Sequence, residues 1–161
     1  MIGAVLQPVV FFFMVVFQIT VMEFATIGGV GPDILFAFTV YAGLHIPTVR
    51  GTVISFLTGL VLDFLVSPIP GLHALLYVLS FSIAMAVGPR LNRESPLPAA
   101  LLTGLLFFLQ GCLIVFFYWL ILDSGIAWTL PRVFFPQATV MGALSPFLYK
   151  FFDYMESLLH A

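Results

Sequence analysis

The sequence predicts an all-α integral membrane protein, with about six transmembrane helices in one bundle and a single polytopic domain over residues 1–161. Three observations carry that reading. Hydrophobic residues make up 62% of the chain and charged residues 7%, with a mean hydropathy of +1.20; a soluble domain carries about 25% charged residues. The apolar residues fall into runs of helical length, punctuated by Pro/Gly clusters and the few charges. Those charges then sort by side of the membrane once the runs are drawn as spans.

Segment one runs from about Ala4 to Met22, with Pro8 in its first turns, where it costs little. No basic region precedes this run and no small-residue cleavage site follows it, so it reads as a retained helix. Glu23 and the Gly28-Gly29-Val30-Gly31-Pro32 cluster end it. Segment two starts near Asp33, placed to cap the helix or sit in its first turn, and runs to Ile46, with Pro47 and Arg50 closing it. Segment three is about Gly51 to Val66 and segment four about Leu72 to Val87. The stretch from Gly88-Pro89-Arg90 to Ser95-Pro96-Leu97-Pro98 reads as the most polar loop. Segment five covers about Ala99 to Leu122, and segment six about Val133 to Phe151, interrupted by Pro136 and Pro146.

With six spans, Arg50, Arg90, Arg93 and Lys150 share the side of both termini, and only Arg132 falls opposite. The positive-inside rule then puts both termini in the cytoplasm. Glu23, Asp33 and Asp123 lie at or near the outer face, and Tyr118, Trp119 and Trp128 flank the outer end of segment five as interfacial aromatics do. Segments two to four are short, about 14 to 17 residues, which calls for local thinning of the bilayer or shielding by neighbours.

The chain is organised around segments three and four. Gly51, Ser55, Gly59 and Asp63 recur every fourth position and form one stripe on a helix. Small residues at that spacing let a second helix approach closely in lipid. Segment four answers with His73, Tyr77, Ser80, Ala84 and Gly88. The connection, through Ser67, Pro70 and Gly71, brings Asp63 and His73 to the same end of a hairpin. An acid at hydrocarbon depth costs about 2.5–3.5 kcal/mol on insertion scales and so faces protein. A proton relay, a metal site or a ligand pocket could use such a pair. The plainer role is structural: Asp63 accepts hydrogen bonds from the turn's amides or from His73 and fixes the hairpin. Gln18, Gln110 and Gln137, also at helix depth, read as interhelical hydrogen-bonding residues.

Catalytic motifs are missing. There is no Gly-x-Ser-x-Gly, no His-Glu-x-x-His and no P-loop. His45, His73 and His160 have no zinc spacing, and the single Cys112 allows neither a disulfide nor a thiol metal site. Five basic residues make no nucleic-acid surface. The chain reads as a non-enzyme with no cofactor and no metal.

Gly31-Pro32-Asp33 opening a helix, Tyr41 within it, Pro47, then Gly51, Gly59, Asp63 and Ser67 through Gly71-Leu72 together resemble the bacterial rod-shape-determining MreD family. The resemblance is strongest over residues 31 to 85. Met141-Gly142-Ala143-Leu144-Ser145-Pro146 departs from it, lacking a polar Asn, and so does a tail carrying Asp153 and Glu156. The resemblance implies a scaffold of the cell-elongation, peptidoglycan-synthesising machinery in the bacterial inner membrane. Its implied partner is an MreC-like single-span protein. Through that protein it would reach an MreB-like filament, a RodA-type glycan polymerase and a class B penicillin-binding transpeptidase. It also implies a fold similar to the substrate-binding subunits of energy-coupling-factor transporters, which supplies the alternative function, a membrane subunit that captures a small molecule.

Overall fold

In the computed structural model, the residues described are 15–18, 20, 33–65, 67–91, 96–122 and 130–160, and every regular element among them is helical. Segments two to six become α1 (Ile34–His45), α2 (Thr48–Leu65), α3 (Leu72–Val87), α4 (Pro96–Leu122) and α5 (Leu130–His160), with a 3-10 turn at Gly88–Arg90 after α3. Residues 15–18 are helical, in agreement with segment one. The rest of that segment lies outside the described residues, as do Glu23, the glycine cluster with Pro32, Arg93, Asp123 and Trp128.

Helix α1 starts where its first amides find acceptors. Asp33 is the N-cap, its Oδ1 accepting from Phe36 N at 2.9 Å, and Gln18 Oε1 accepts from Ile34 N at 2.8 Å. Together they satisfy two of the donors that every helix start leaves unpaired. The helix stops because Ile46 precedes Pro47 and is held extended. Its 12 residues rise about 18 Å, too little to cross a hydrocarbon layer of about 30 Å. The protein shields it instead. Leu35, Phe36, Ala37, Val40 and Ala42 are all fully buried, and α1 touches each of α2, α3, α4 and α5. A helix enclosed on all sides needs no apolar stripe and shows none.

Around α1 stand two antiparallel hairpins. α2 packs along α3, and α4 along α5, while α2 meets neither α4 nor α5. Aromatic edges tie the second hairpin to α1: Phe36 to Phe107 at 5.3 Å and Phe38 to Phe152 at 5.4 Å between ring centres. Within that hairpin the backbones nearly touch; a Cβ on Gly104 would lie 3.5 Å from Gly142 Cα. Among the described residues, three stretches are long and apolar enough to cross a membrane: Thr48–Leu65, Leu72–Arg90 and Leu97–Ile121.

Three helices differ from the sequence reading. α2 and α4 start earlier, and α5 runs from Leu130 to His160 where the apolar run predicts about Val133 to Phe151. Proline accounts for the two starts and for the break expected inside α5. α2 begins at Thr48, three residues before Gly51, directly after Pro47. Pro96 and Pro98 belong to the first turn of α4 and not to a loop, because the amide a proline lacks is unpaired there anyway. Pro136 and Pro146 do not interrupt α5, which runs for 31 residues through both. Pro146 leaves the Gly142 carbonyl without its helical donor. Ser145 Oγ supplies the missing bond, donating to Gly142 O at 2.8 Å. A buried serine beside a proline thus repairs the ladder, as membrane helices require.

Candidate functional site

One cluster of polar groups, Asp63, Ser67 and His73, lies at the turn between α2 and α3. The α2 face that carries Gly51, Ser55, Gly59 and Asp63 is buried against the bundle. A Cβ on Gly59 would sit 2.5 Å from Ala74 Cα and 2.6 Å from His73 O, so the two backbones are in contact. One on Gly51 would strike the Phe81 ring at 2.2 Å. Ser55 is fully buried, and its hydroxyl finds no hydrogen-bond partner among the described residues.

The Gly59 contact sets the next feature. Asp63 stands one turn above it on the same face, level with the first residues of α3. Its Oδ1 accepts from His73 N at 2.9 Å and lies 3.1 Å from His73 Nδ1, and its Oδ2 accepts from Ala74 N at 3.0 Å. Asp63 therefore does from a neighbouring helix what an N-cap side chain does from its own. Gly71, the residue in the N-cap position of α3, has no side chain to offer. With a carboxylate facing Nδ1, that nitrogen carries the imidazole proton. The Asp63 side chain is 2% exposed and that of His73 16%, so the pair closes the turn end of the α2–α3 seam with polar groups.

The turn itself is built from Ser67, Pro68, Ile69, Pro70 and Gly71. Ser67 Oγ accepts from Ile69 N at 3.2 Å and donates to Ile69 O at 2.9 Å, folding the corner on itself. Pro70 is exposed. Gly71 has φ of 86°, in the left-handed region, where a side chain costs about 1–2 kcal/mol. Gly71→Ala should therefore lower the melting temperature of the purified protein although a Cβ there meets nothing within 4 Å. Gly71→Asn should lose less, since Asn tolerates this conformation. Equal melting for wild type and the alanine variant would contradict the strained turn.

The hydrogen bonds that reach across the bundle were not legible from spacing. Tyr77, in the α3 stripe and fully buried, donates its hydroxyl to Asp33 Oδ2. Asp33 thus caps α1 with one oxygen and binds α3 with the other. Thr103 and Tyr149 share a hydrogen bond between α4 and α5. Tyr41 stacks on His45 and donates to Asp153 Oδ1 at 2.6 Å, joining α1 to the acidic end of α5. The only hint available was the residue type: a tyrosine hydroxyl or a carboxylate at membrane depth needs a partner. Of the three glutamines, Gln18 bonds α1 as described, while Gln110 is buried with no partner for its Oε1 among the described residues.

Chemically the site is closed. Both Asp63 oxygens are engaged by donors, and the described residues contain no group of three His, Cys, Asp or Glu side chains placed to hold a metal. A shallow groove of about 320 Å³ lies at the other end of α3, lined by His45, Pro47, Thr48, Met85 and Pro89 among others. Its polar side chains are already used, His45 Nδ1 on Tyr41 O and Thr48 Oγ1 on Met85 Sδ. The arrangement joins helices to helices.

Comparison with curated proteins and with solved structures returns no match. The family model described as rod shape-determining protein MreD matches residues 1–155. That match spans both hairpins, α1 and the Asp63 turn, and on it the chain belongs to the MreD family of rod-shape-determining membrane proteins.

Proposed function

We propose that the chain is a non-enzymatic scaffold of the bacterial cell-elongation machinery in the inner membrane, binding an MreC-like single-span protein. Through that protein it would reach an MreB-like filament and the RodA-type polymerase with its class B transpeptidase. The observation that carries the reading is the family match over residues 1–155, and the family is one of shape-determining structural proteins, not a known family of enzymes. The site is consistent with it, since its carboxylates cap helices and bond tyrosines. A fold shared with the capture subunits of energy-coupling-factor transporters is part of the same proposal.

Affinity purification of the full chain in mild detergent, followed by mass spectrometry, tests the partner. Recovery of an MreC-like protein is the expected result. Recovery of ATPase subunits with a coupling protein would overturn the scaffold reading in favour of small-molecule capture.

The same proposal fixes topology. Arg50 and Arg90 are exposed at one end of the α2–α3 hairpin, and Lys150 is exposed on α5, which under the positive-inside rule faces that end to the cytoplasm. Alkaline phosphatase fused after Ala161 should be inactive, and a fluorescent protein at the same point should fluoresce. An active phosphatase there would reverse the C-terminus.

A further inference from the structure

The shallow groove at the end of α3 away from Asp63 lies where two of the apolar stretches stop. Thr48 begins one of them and Arg90 ends the other, and Thr48 and Pro89 both line the groove. The groove therefore sits at the boundary between hydrocarbon and water, at the depth of lipid headgroups.

The polar side chains within the groove have partners, but the cations beside it do not. Arg90 follows Pro89 directly in the chain. Arg50 is in the first turn of α2, where side chains lean toward the helix start and so toward Pro47 and Thr48 in the groove wall. Both arginines are exposed, and neither forms an ion pair among the described residues. Asp153, an acid at this end of the bundle, stands on α5 and accepts from Tyr41. Two guanidinium groups, each a planar fork that fits a phosphate, are thus left without a counter-charge.

An apolar track leads to them from the membrane. Leu75, Leu79, Ser82 and Ala86 are exposed at helical spacing on α3 and form one face, which ends a turn before Arg90. The large side chains lie deep, with Leu75 57% and Leu79 41% exposed. The small ones, Ser82 and Ala86, come next to the charge and leave room beside the helix for the glycerol backbone of a lipid.

We propose that the groove and the α3 face leading into it bind one anionic phospholipid. Arg50 and Arg90 hold its phosphate, and its acyl chains lie along Ala86, Ser82 and Leu79. A zwitterionic lipid fits less well, because its choline or ammonium group brings a further positive charge to the arginines. An acidic protein segment would satisfy the arginines but would leave the track unused. The inference rests on the chain lying in a bilayer and not on any protein partner.

The test reads lipid composition beside this face. The full chain, with Trp119→Phe and Trp128→Phe to remove its native tryptophans, carries one reporter at a time. Leu79→Trp reports on the track, and Leu105→Trp, at an α4 side chain 65% exposed, is the reference. The protein is reconstituted in vesicles of phosphatidylcholine mixed with phosphatidylglycerol, with one or the other lipid brominated on its acyl chains. Fluorescence quenching then gives the affinity of phosphatidylglycerol relative to phosphatidylcholine at each reporter. At position 79 the ratio should be about fivefold or more, since each arginine near a membrane surface contributes about fivefold toward an anionic lipid. At position 105 it should be near one. Arg50→Gln combined with Arg90→Gln should bring the ratio at 79 down to that at 105, while Lys150→Gln on α5 should leave it unchanged. Equal ratios at the two reporters would overturn the proposal, and that comparison needs no arginine variant. So would a preference at 79 that survives the loss of both arginines, or one that Lys150→Gln removes equally.

Discussion

Gly59→Leu is expected to remove most of the folded protein from the membrane. Overpacking a core usually costs about 1–3 kcal/mol, because neighbouring side chains turn aside. At Gly59 the neighbours are backbone, with Ala74 Cα, His73 O and Ala74 N all within 2.7 Å of where a Cβ would lie. Nothing there can rotate away. α2 must move off α3 or bend, and the loss should reach or exceed the upper end of that range, against a total stability of about 5–15 kcal/mol. Gly59→Ala should fall between wild type and leucine, while Phe64→Leu, at a side chain 82% exposed, should be neutral. Membrane abundance and melting temperature in detergent measure all three. Wild-type melting of Gly59→Leu would mean the two helices do not touch there.

Asp63→Leu is the second large effect, and its mechanism is different. The carboxylate serves the amides of His73 and Ala74 and the His73 ring. Leucine strands all three donors at the start of a helix, at about 1–3 kcal/mol for each one left buried and unpaired. Asparagine keeps one acceptor oxygen for the amides but puts a donor where the other oxygen was, so it should lose part of this and not all. The expected series is wild type, then Asn, then Leu in membrane level, with partner recovery and rescue of rod shape falling in step. A relay or catalytic acid would behave otherwise. Full abundance and normal partner binding with no rescue in Asp63→Asn would show that the charge does chemistry.

How far the sequence could be read depended on distance along the chain. α3 has the bounds read from its apolar run, and the ends of α1 lie within a residue of theirs, because punctuation by Pro, Gly and Asp is local chemistry. The meeting of Asp63 and His73 was legible for the same reason: they flank one turn, ten residues apart. Tyr77 with Asp33 and Tyr41 with Asp153 are 44 and 112 residues apart. Such pairs depend on how the hairpins dock, which no periodicity records. The prolines of α4 and α5 misled because a rule learned in water treats them as breaks. In lipid a broken helix is costlier than a bent one, and Ser145 is at hand to mend it.

The enclosure of α1 bears on how the chain is made. A span that cannot bridge the hydrocarbon on its own cannot be handed to lipid as it leaves the ribosome and left there. Its walls arrive in order: α2 and α3 soon after it, α4 and α5 only after more than fifty further residues have been synthesised. Until then the rings on which Phe36 and Phe38 pack, Phe107 and Phe152, have not been made, and the carboxylate for Tyr41 does not yet exist. Insertion and folding are therefore one event for this helix, completed from the C-terminal end. The last hairpin supplies the final wall, because the contacts of Phe36 with Phe107, Phe38 with Phe152 and Tyr41 with Asp153 exist only once the chain has been made through Asp153.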